Sequence, residues 1–139
     1  MNYQRKIRLE ETDATGVIFF TKLQSIGLEV VEIFLNEIGY SVPQFMAKNL
    51  LFPIVHVEAN YFLPIRCADV LNCNLFLKKL GESSVTFHVE FYLNDKLCGN
   101  FEMVSVMIEK STLKSVTMPL EFKNLLMTLL YPLILKEKL

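Results

Sequence analysis

With 139 residues, 52% of them hydrophobic and 21% charged, and a formal net charge of −1, the chain can bury one core without staples and lacks the basic footprint of a nucleic-acid binder. The apolar share is high for a soluble chain, so part of the surface is expected to be covered by further copies. Cys67, Cys73 and Cys98 show no CxxC pairing and, with only His56 and His88 beside them, no metal-ligand spacing, so free thiols in a reducing cytoplasm, with no metal or prosthetic group, are expected.

In chain order, Met1 leads into alternating residues with no apolar leader. Tyr3, Arg5, Ile7 and Leu9 alternate with Gln4, Lys6, Arg8 and Glu10, the period of a half-exposed strand. That strand feeds the turn Glu11-Thr12-Asp13-Ala14-Thr15-Gly16. A carboxylate just ahead of a helix faces unpaired N–H groups and the positive end of the helix dipole, a setting suited to acyl chemistry. Asp13 and Thr15 would equally serve to cap and turn the backbone.

Leu23, Ile26, Gly27, Val30, Val31, Phe34, Leu35 and Ile38 recur at helical spacing, which predicts a helix over 21–38 stopped by Gly39. A short second helix is expected from Pro43 to Asn49. Four long strands follow, over 51–63, 70–80, 85–93 and 97–109, with turns at Gly81-Glu82-Ser83 and Asn94-Asp95-Lys96. A last extended segment lies around Val116 to Met118, and Pro119 opens a terminal helix over 120–130. The apolar stretch 125–135 is too short to span a bilayer and is broken by Pro132. Strands of 11 to 13 residues extend roughly 36 to 44 Å, whereas the helix is about 27 Å long, so the sheet must curl around it. The fold class expected is α+β, with residues 1–139 forming one domain in which a curved antiparallel sheet wraps one long central helix.

The turn Glu11 to Phe20, Glu29 and Glu32 in the helix, Phe52-Pro53-Ile54-Val55-His56, and Pro64-Ile65-Arg66-Cys67-Ala68-Asp69 together resemble the hot-dog-fold acyl-CoA thioesterases of the 4-hydroxybenzoyl-CoA thioesterase type. The likeness runs from about residue 3 to 122, and within it the Pro-Ile-Val-His stretch is most similar to the 1,4-dihydroxy-2-naphthoyl-CoA hydrolases of phylloquinone and menaquinone synthesis. The resemblance implies hydrolysis of an acyl-CoA to free acid and CoA, by a homodimer or homotetramer with sites between subunits. Broader acyl-CoA or 4-hydroxybenzoyl-CoA cleavage, and acyl-ligand binding without turnover, are the alternatives.

On that resemblance Asp13 is the catalytic carboxylate, as nucleophile or as base toward water, and the Phe20 backbone N–H polarises the thioester carbonyl. Gly16, Val17, Phe19, His56 and Tyr61 are expected to meet the substrate, and Arg66, Lys78, Lys79 and Ser83 the CoA. His56, in an apolar strand, would otherwise be a hydrogen-bonded core residue. Glu11 is expected to act as a structural partner within the turn.

Overall fold

The computed structural model describes residues 1–129. β1 (Asn2–Lys6) ends earlier than the alternation predicts, because Leu9–Glu11 closes into a 3-10 turn. That turn throws Leu9 into solvent at 76% exposure while Ile7 stays in the core. α1 (Phe20–Glu37) follows, stopped at Gly39 with φ +82°. α2 (Val42–Ala47) opens on a reciprocal cap, in which Ser41 Oγ accepts from the Gln44 N–H and Gln44 Oε1 accepts from the Ser41 N–H.

The expected strand over 51–63 is split into β2 (Leu50–Leu51) and β3 (Ile54–Tyr61). Pro53 has no N–H to give to a ladder, so the chain leaves one partner there and joins another. β4 (Val70–Leu80), β5 (Ser84–Leu93) and β6 (Lys96–Val106) form a meander, and β7 (Ile108–Glu109) pairs with β2. In place of a strand at 116–118 there is one bridge, Ser115 to Ile108. α3 (Leu120–Leu126) passes into a 3-10 turn at Met127–Leu129. The remainder of the apolar stretch, from 130 to 135, lies outside the described residues.

The five-stranded antiparallel sheet has the order β1-β4-β5-β6-β3, leaving β1 and β3 as its edges. Leu71, Cys73, Leu75 and Leu77 on β4, Val85, Phe87, Val89 and Phe91 on β5, and Phe101 and Met103 on β6 make one buried face. The α1 stripe Leu23, Ile26, Val30, Val31 and Phe34 is buried in the same core cluster. This is the hot-dog arrangement, a sheet curled around a central helix.

Gly27 sets how close helix and sheet come: a Cβ built there would lie 2.4 Å from two ring carbons of Phe101, a residue only 1% exposed. Gly27→Ala is therefore expected to lower stability by about 1 to 3 kcal/mol through overpacking. A lower urea midpoint at unchanged m-value would show it.

At the far end of α1 an aromatic cluster closes the core. Phe122 lies edge-on to Phe45 and Phe52 at centroid distances of 5.6 and 5.5 Å, and Tyr40 is 4.6 Å from Phe122.

Candidate active site

The segment from Glu11 to Phe19 folds back on itself as a narrow ribbon. Asp13 N–H donates to Val17 O at 2.8 Å, Phe19 N–H to Glu11 O at 2.9 Å, and Thr12 bridges Ile18. Gly16, at φ +78°, makes the reversal. A third strand-like piece lies against the other side of the ribbon, where Ile18 N–H donates to Ile65 O at 2.7 Å and Cys67 N–H to Gly16 O at 3.0 Å. Val17 bridges Arg66. The sequence from Pro64 to Asp69 thus buttresses the Asp13 turn, and Arg66 reaches solvent beside it.

Asp13 is exposed, and its side chain is tethered. Oδ1 accepts from the Thr15 N–H at 2.8 Å and from Thr15 Oγ at 2.6 Å. These two bonds hold the carboxyl below its ordinary value, the hydroxyl bond being the larger influence. Asp13 is therefore an anion at neutral pH, with Oδ1 pinned by Thr15 and the Val17 N–H a further, smaller influence in the same direction. By residue type Thr15 is a turn former; the structure also gives it the orientation of the carboxylate. Thr15→Val removes the hydroxyl and keeps the size, so the Asp13 pKa rises. If Asp13 must be ionised for turnover, the acidic limb of a kcat/KM profile moves to higher pH.

The ribbon leads directly into α1, whose start is uncapped. Phe19 at the cap position makes no side-chain hydrogen bond, and no acid lies in the first turn. Phe20 N–H meets no backbone carbonyl among the described residues. Helix N-termini commonly carry Ser, Thr, Asp or Asn here; their absence leaves donors and a positive dipole end open to a ligand oxygen. The Phe19 and Phe20 rings, with centroids 4.9 Å apart, stand 45% and 59% exposed at this mouth. Tyr61, at the end of β3, donates its hydroxyl to the Phe20 carbonyl.

Beneath the turn, Arg5 links three elements. Its Nη1 lies 2.7 Å from Glu11 Oε1 and its Nε 2.7 Å from Glu29 Oε2 on α1, with the Arg5 and Glu11 side chains 10% and 7% exposed. Glu11 Oε1 also accepts from the Arg8 N–H at 2.8 Å. Burial alone would raise the Glu11 pKa, but the Arg5 and Arg8 hydrogen bonds more than reverse it. Glu11 is thus the turn's structural anchor, as expected.

The structure gathers Asp13, Gly16, Val17, Phe19, Phe20, Tyr61 and Arg66 at one end of the chain's fold. It does not gather the rest. His56 pairs with Val104 across β3 and β6, on the sheet face away from α1, and its Nε2 lies 3.6 Å from Glu58. Lys78 stands eight residues along β4 from Val70, roughly 26 Å, and contacts Glu102. Lys79 and Ser83 share that distant end. Ser105, which composition and motifs do not single out, is fully buried with its hydroxyl unpartnered among the described residues. It interrupts the inward row Phe101, Met103, Ser105, Met107, and that interruption is a signal the sequence carries.

Comparison with known proteins gives a consistent picture. A model of the thioesterase-like superfamily matches residues 7–126. The 1,4-dihydroxy-2-naphthoyl-CoA hydrolase of Microcystis aeruginosa is 28% identical over 125 residues, covering 89% of this chain and 91% of its own. That of Prochlorococcus marinus (strain NATL2A) is 32% identical over 119 residues, covering 80% and 77%. Among solved structures, the 1,4-dihydroxy-2-naphthoyl-CoA thioesterase of Synechocystis superposes with a TM-score of 0.83 at 22% identity, covering 90% of this chain and 93% of that one. A Staphylococcus aureus protein solved in complex with CoA gives 0.86 at 16% identity, covering 91% and 81%. At these identities the two structures speak to the fold alone.

Proposed function

Because the chain belongs to the thioesterase-like superfamily, we propose that it hydrolyses an acyl-CoA thioester to the free acid and CoA, with Asp13 as the reacting carboxylate. The observation that carries this reading is an ionised carboxylate, held by Thr15, on the ribbon that enters an uncapped helix N-terminus. The thioester carbonyl oxygen takes the Phe20 N–H, where charge develops as the carbonyl carbon becomes tetrahedral. Oδ2 of Asp13 either adds to that carbon or takes a proton from the water that adds. The carbon–sulfur bond then breaks and its electron pair leaves on the CoA sulfur, giving the free acid directly when water has added. When Oδ2 has added, water next cleaves the acyl–Asp13 anhydride, releasing the acid and restoring the carboxylate. In either case a proton from that water ends on the CoA thiolate or in solvent.

The substrate proposed is 1,4-dihydroxy-2-naphthoyl-CoA, supported by the function that several curated relatives carry. Phe19, Val17 and Gly16 line the approach, and Arg66 supplies a cation for the nucleotide end of CoA. The working unit is a homodimer. β3 is an open sheet edge whose Val55, Val57 and Tyr61 stand 60%, 38% and 44% exposed, and an edge of this kind is stabilised by antiparallel pairing with its own copy. Such pairing carries the Lys79 and Ser83 end of one copy toward the Asp13 end of the other.

Thiol release from 1,4-dihydroxy-2-naphthoyl-CoA, 4-hydroxybenzoyl-CoA, benzoyl-CoA and straight-chain acyl-CoAs tests this. A clear preference for the naphthoyl thioester is the expected result. Preference for another acyl group discards the substrate and keeps the reaction; ligand binding with no cleavage at all replaces the enzyme with a binding protein.

A further inference from the structure

The start of α1 is held on its ribbon side and left open on its own. Phe19 N–H donates to Glu11 O at 2.9 Å, but one residue later the Phe20 N–H meets no backbone carbonyl among the described residues, and no side chain caps the turn. Helix ends in that state fray. The Tyr61 hydroxyl, from a position 41 residues away in the chain, donates to the Phe20 carbonyl. Among the described residues it is the one side chain of another element that hydrogen-bonds the backbone of this first turn.

The sheet is built to let it reach. Val57, Ala59 and Tyr61 of β3 lie opposite Met103, Phe101 and Gly99 of β6, on the face that Phe101 and Met103 turn into the core. Ala59 and Gly99 take little room there. A Cβ on Gly99 would lie 3.0 Å from Leu23 Cδ2, so sheet and first turn are already in contact. The phenol ring closes the remaining gap from the open edge, and the Gln24 side chain, one helical turn after Phe20, hydrogen-bonds the same hydroxyl. One oxygen thus meets both ends of the turn.

The Phe20 N–H belongs to the amide that joins Phe19 to Phe20, so its direction follows from the groups held on either side of that amide. On the ribbon side the held group is the Phe19 N–H; on the helix side it is the Phe20 carbonyl. We propose that Tyr61 is a positioning residue for hydrolysis, its hydroxyl holding the Phe20 carbonyl so that the Phe20 N–H stays aimed at the thioester oxygen. The inference rests on the thioesterase reading above and makes Tyr61 a support of the oxyanion donor where its residue type suggests a substrate contact. A donor fixed in advance needs no reorganisation as charge develops, and that advantage is felt in the transition state more than in the bound substrate.

Tyr61→Phe removes the one oxygen and keeps the ring. kcat is expected to fall by about fivefold to tenfold, the effect of one lost hydrogen bond, while KM holds. Every acyl-CoA presents the same thioester carbonyl, so the factor is the same for each thioester that the protein cleaves. A contact between Tyr61 and the acyl group gives a factor that varies with the acyl group, or a raised KM. Either result overturns the positioning role, as does a kcat equal to wild type.

Amide hydrogen exchange followed by NMR gives a readout that needs no turnover. The Gln24 N–H closes the first helical bond onto the Phe20 carbonyl, and in Tyr61→Phe it is expected to exchange about fivefold faster. The amides of Val30 and Phe34, later in α1, keep their wild-type rates. An unchanged rate at Gln24 overturns the proposal, and so does equal acceleration along the whole helix, which marks lost global stability. Should wild type cleave no thioester, the hydrolase reading fails by itself, and the exchange rates alone decide whether Tyr61 holds the helix start.

Discussion

Asp13→Asn is expected to lower kcat by about 10²- to 10⁴-fold, the range for removing a positioned acid–base group, with little change in Tm. The asparagine side-chain oxygen still accepts the Thr15 N–H and hydroxyl that now meet Asp13 Oδ1 at 2.8 and 2.6 Å, so the turn keeps its shape. What disappears is the negative charge and the basicity of Oδ2, because an amide nitrogen replaces it. KM should change far less than kcat, since CoA is held by other groups. The check is steady-state thiol release beside a thermal melt. A folded Asp13→Asn protein with wild-type turnover would remove Asp13 from the chemistry and return it to a turn-forming role.

Arg5→Met is expected to produce the largest loss of stability, about 3 kcal/mol or more, because it leaves Glu11 buried without its charge partner. For a chain of this size that corresponds to a Tm lower by about 10 °C. The pH dependence follows from Glu11, whose carboxyl is held below its ordinary 4.5 in the fold. Its contribution is present above that ordinary value and is lost as pH falls through the depressed one. The gap between wild type and Arg5→Met therefore narrows as the solution is acidified below about pH 4.5. Replacing both partners, as Arg5→Met with Glu11→Leu, should recover part of the loss, since two apolar side chains leave less uncompensated charge than one stranded carboxylate. Chemical denaturation of wild type and the two variants at pH 7 and pH 4 measures all of this. An Arg5→Met protein as stable as wild type at pH 7 would mean that the ion pair is solvated and structurally idle.

The parts of the fold governed by local periodicity are legible in the amino-acid sequence. The stripe from Leu23 to Ile38 predicts α1 to within one residue at each end, and the alternations over 70–80 and 85–93 predict β4 and β5 because one face of each is buried. The failures come where a single residue changes parity. The 3-10 turn at Leu9–Glu11 exposes Leu9, and Pro53 divides what composition presents as one strand.

The placement of His56 has the same cause. It stands five residues from Tyr61, an odd number, so one strand cannot turn both to the same side. The register shift between Ile54 and His56 then sets Ile54 inward and His56 outward despite their even spacing. Of the site, the Asp13 turn and the helix entrance are readable from residue types. The tether from Thr15, the Arg5 anchor and the unpartnered Ser105 depend on side-chain geometry and on contacts between distant segments, which residue spacing does not encode.

The strand order also carries a kinetic meaning. β4, β5 and β6 are joined by tight turns, so their pairings close small loops and can form early. β3 must find β6 across the whole intervening meander, and β1 must find β4 across nearly half the chain. Both edges are thus late additions to a preformed three-stranded centre. β3 arrives late and still presents an open apolar edge once docked, so a newly made chain passes through a period in which that edge can meet any unfolded neighbour. Pairing with a like copy, as in the homodimer proposed above, would shorten that period, and the yield of native protein on refolding would then be set by a competition between two concentration-dependent encounters.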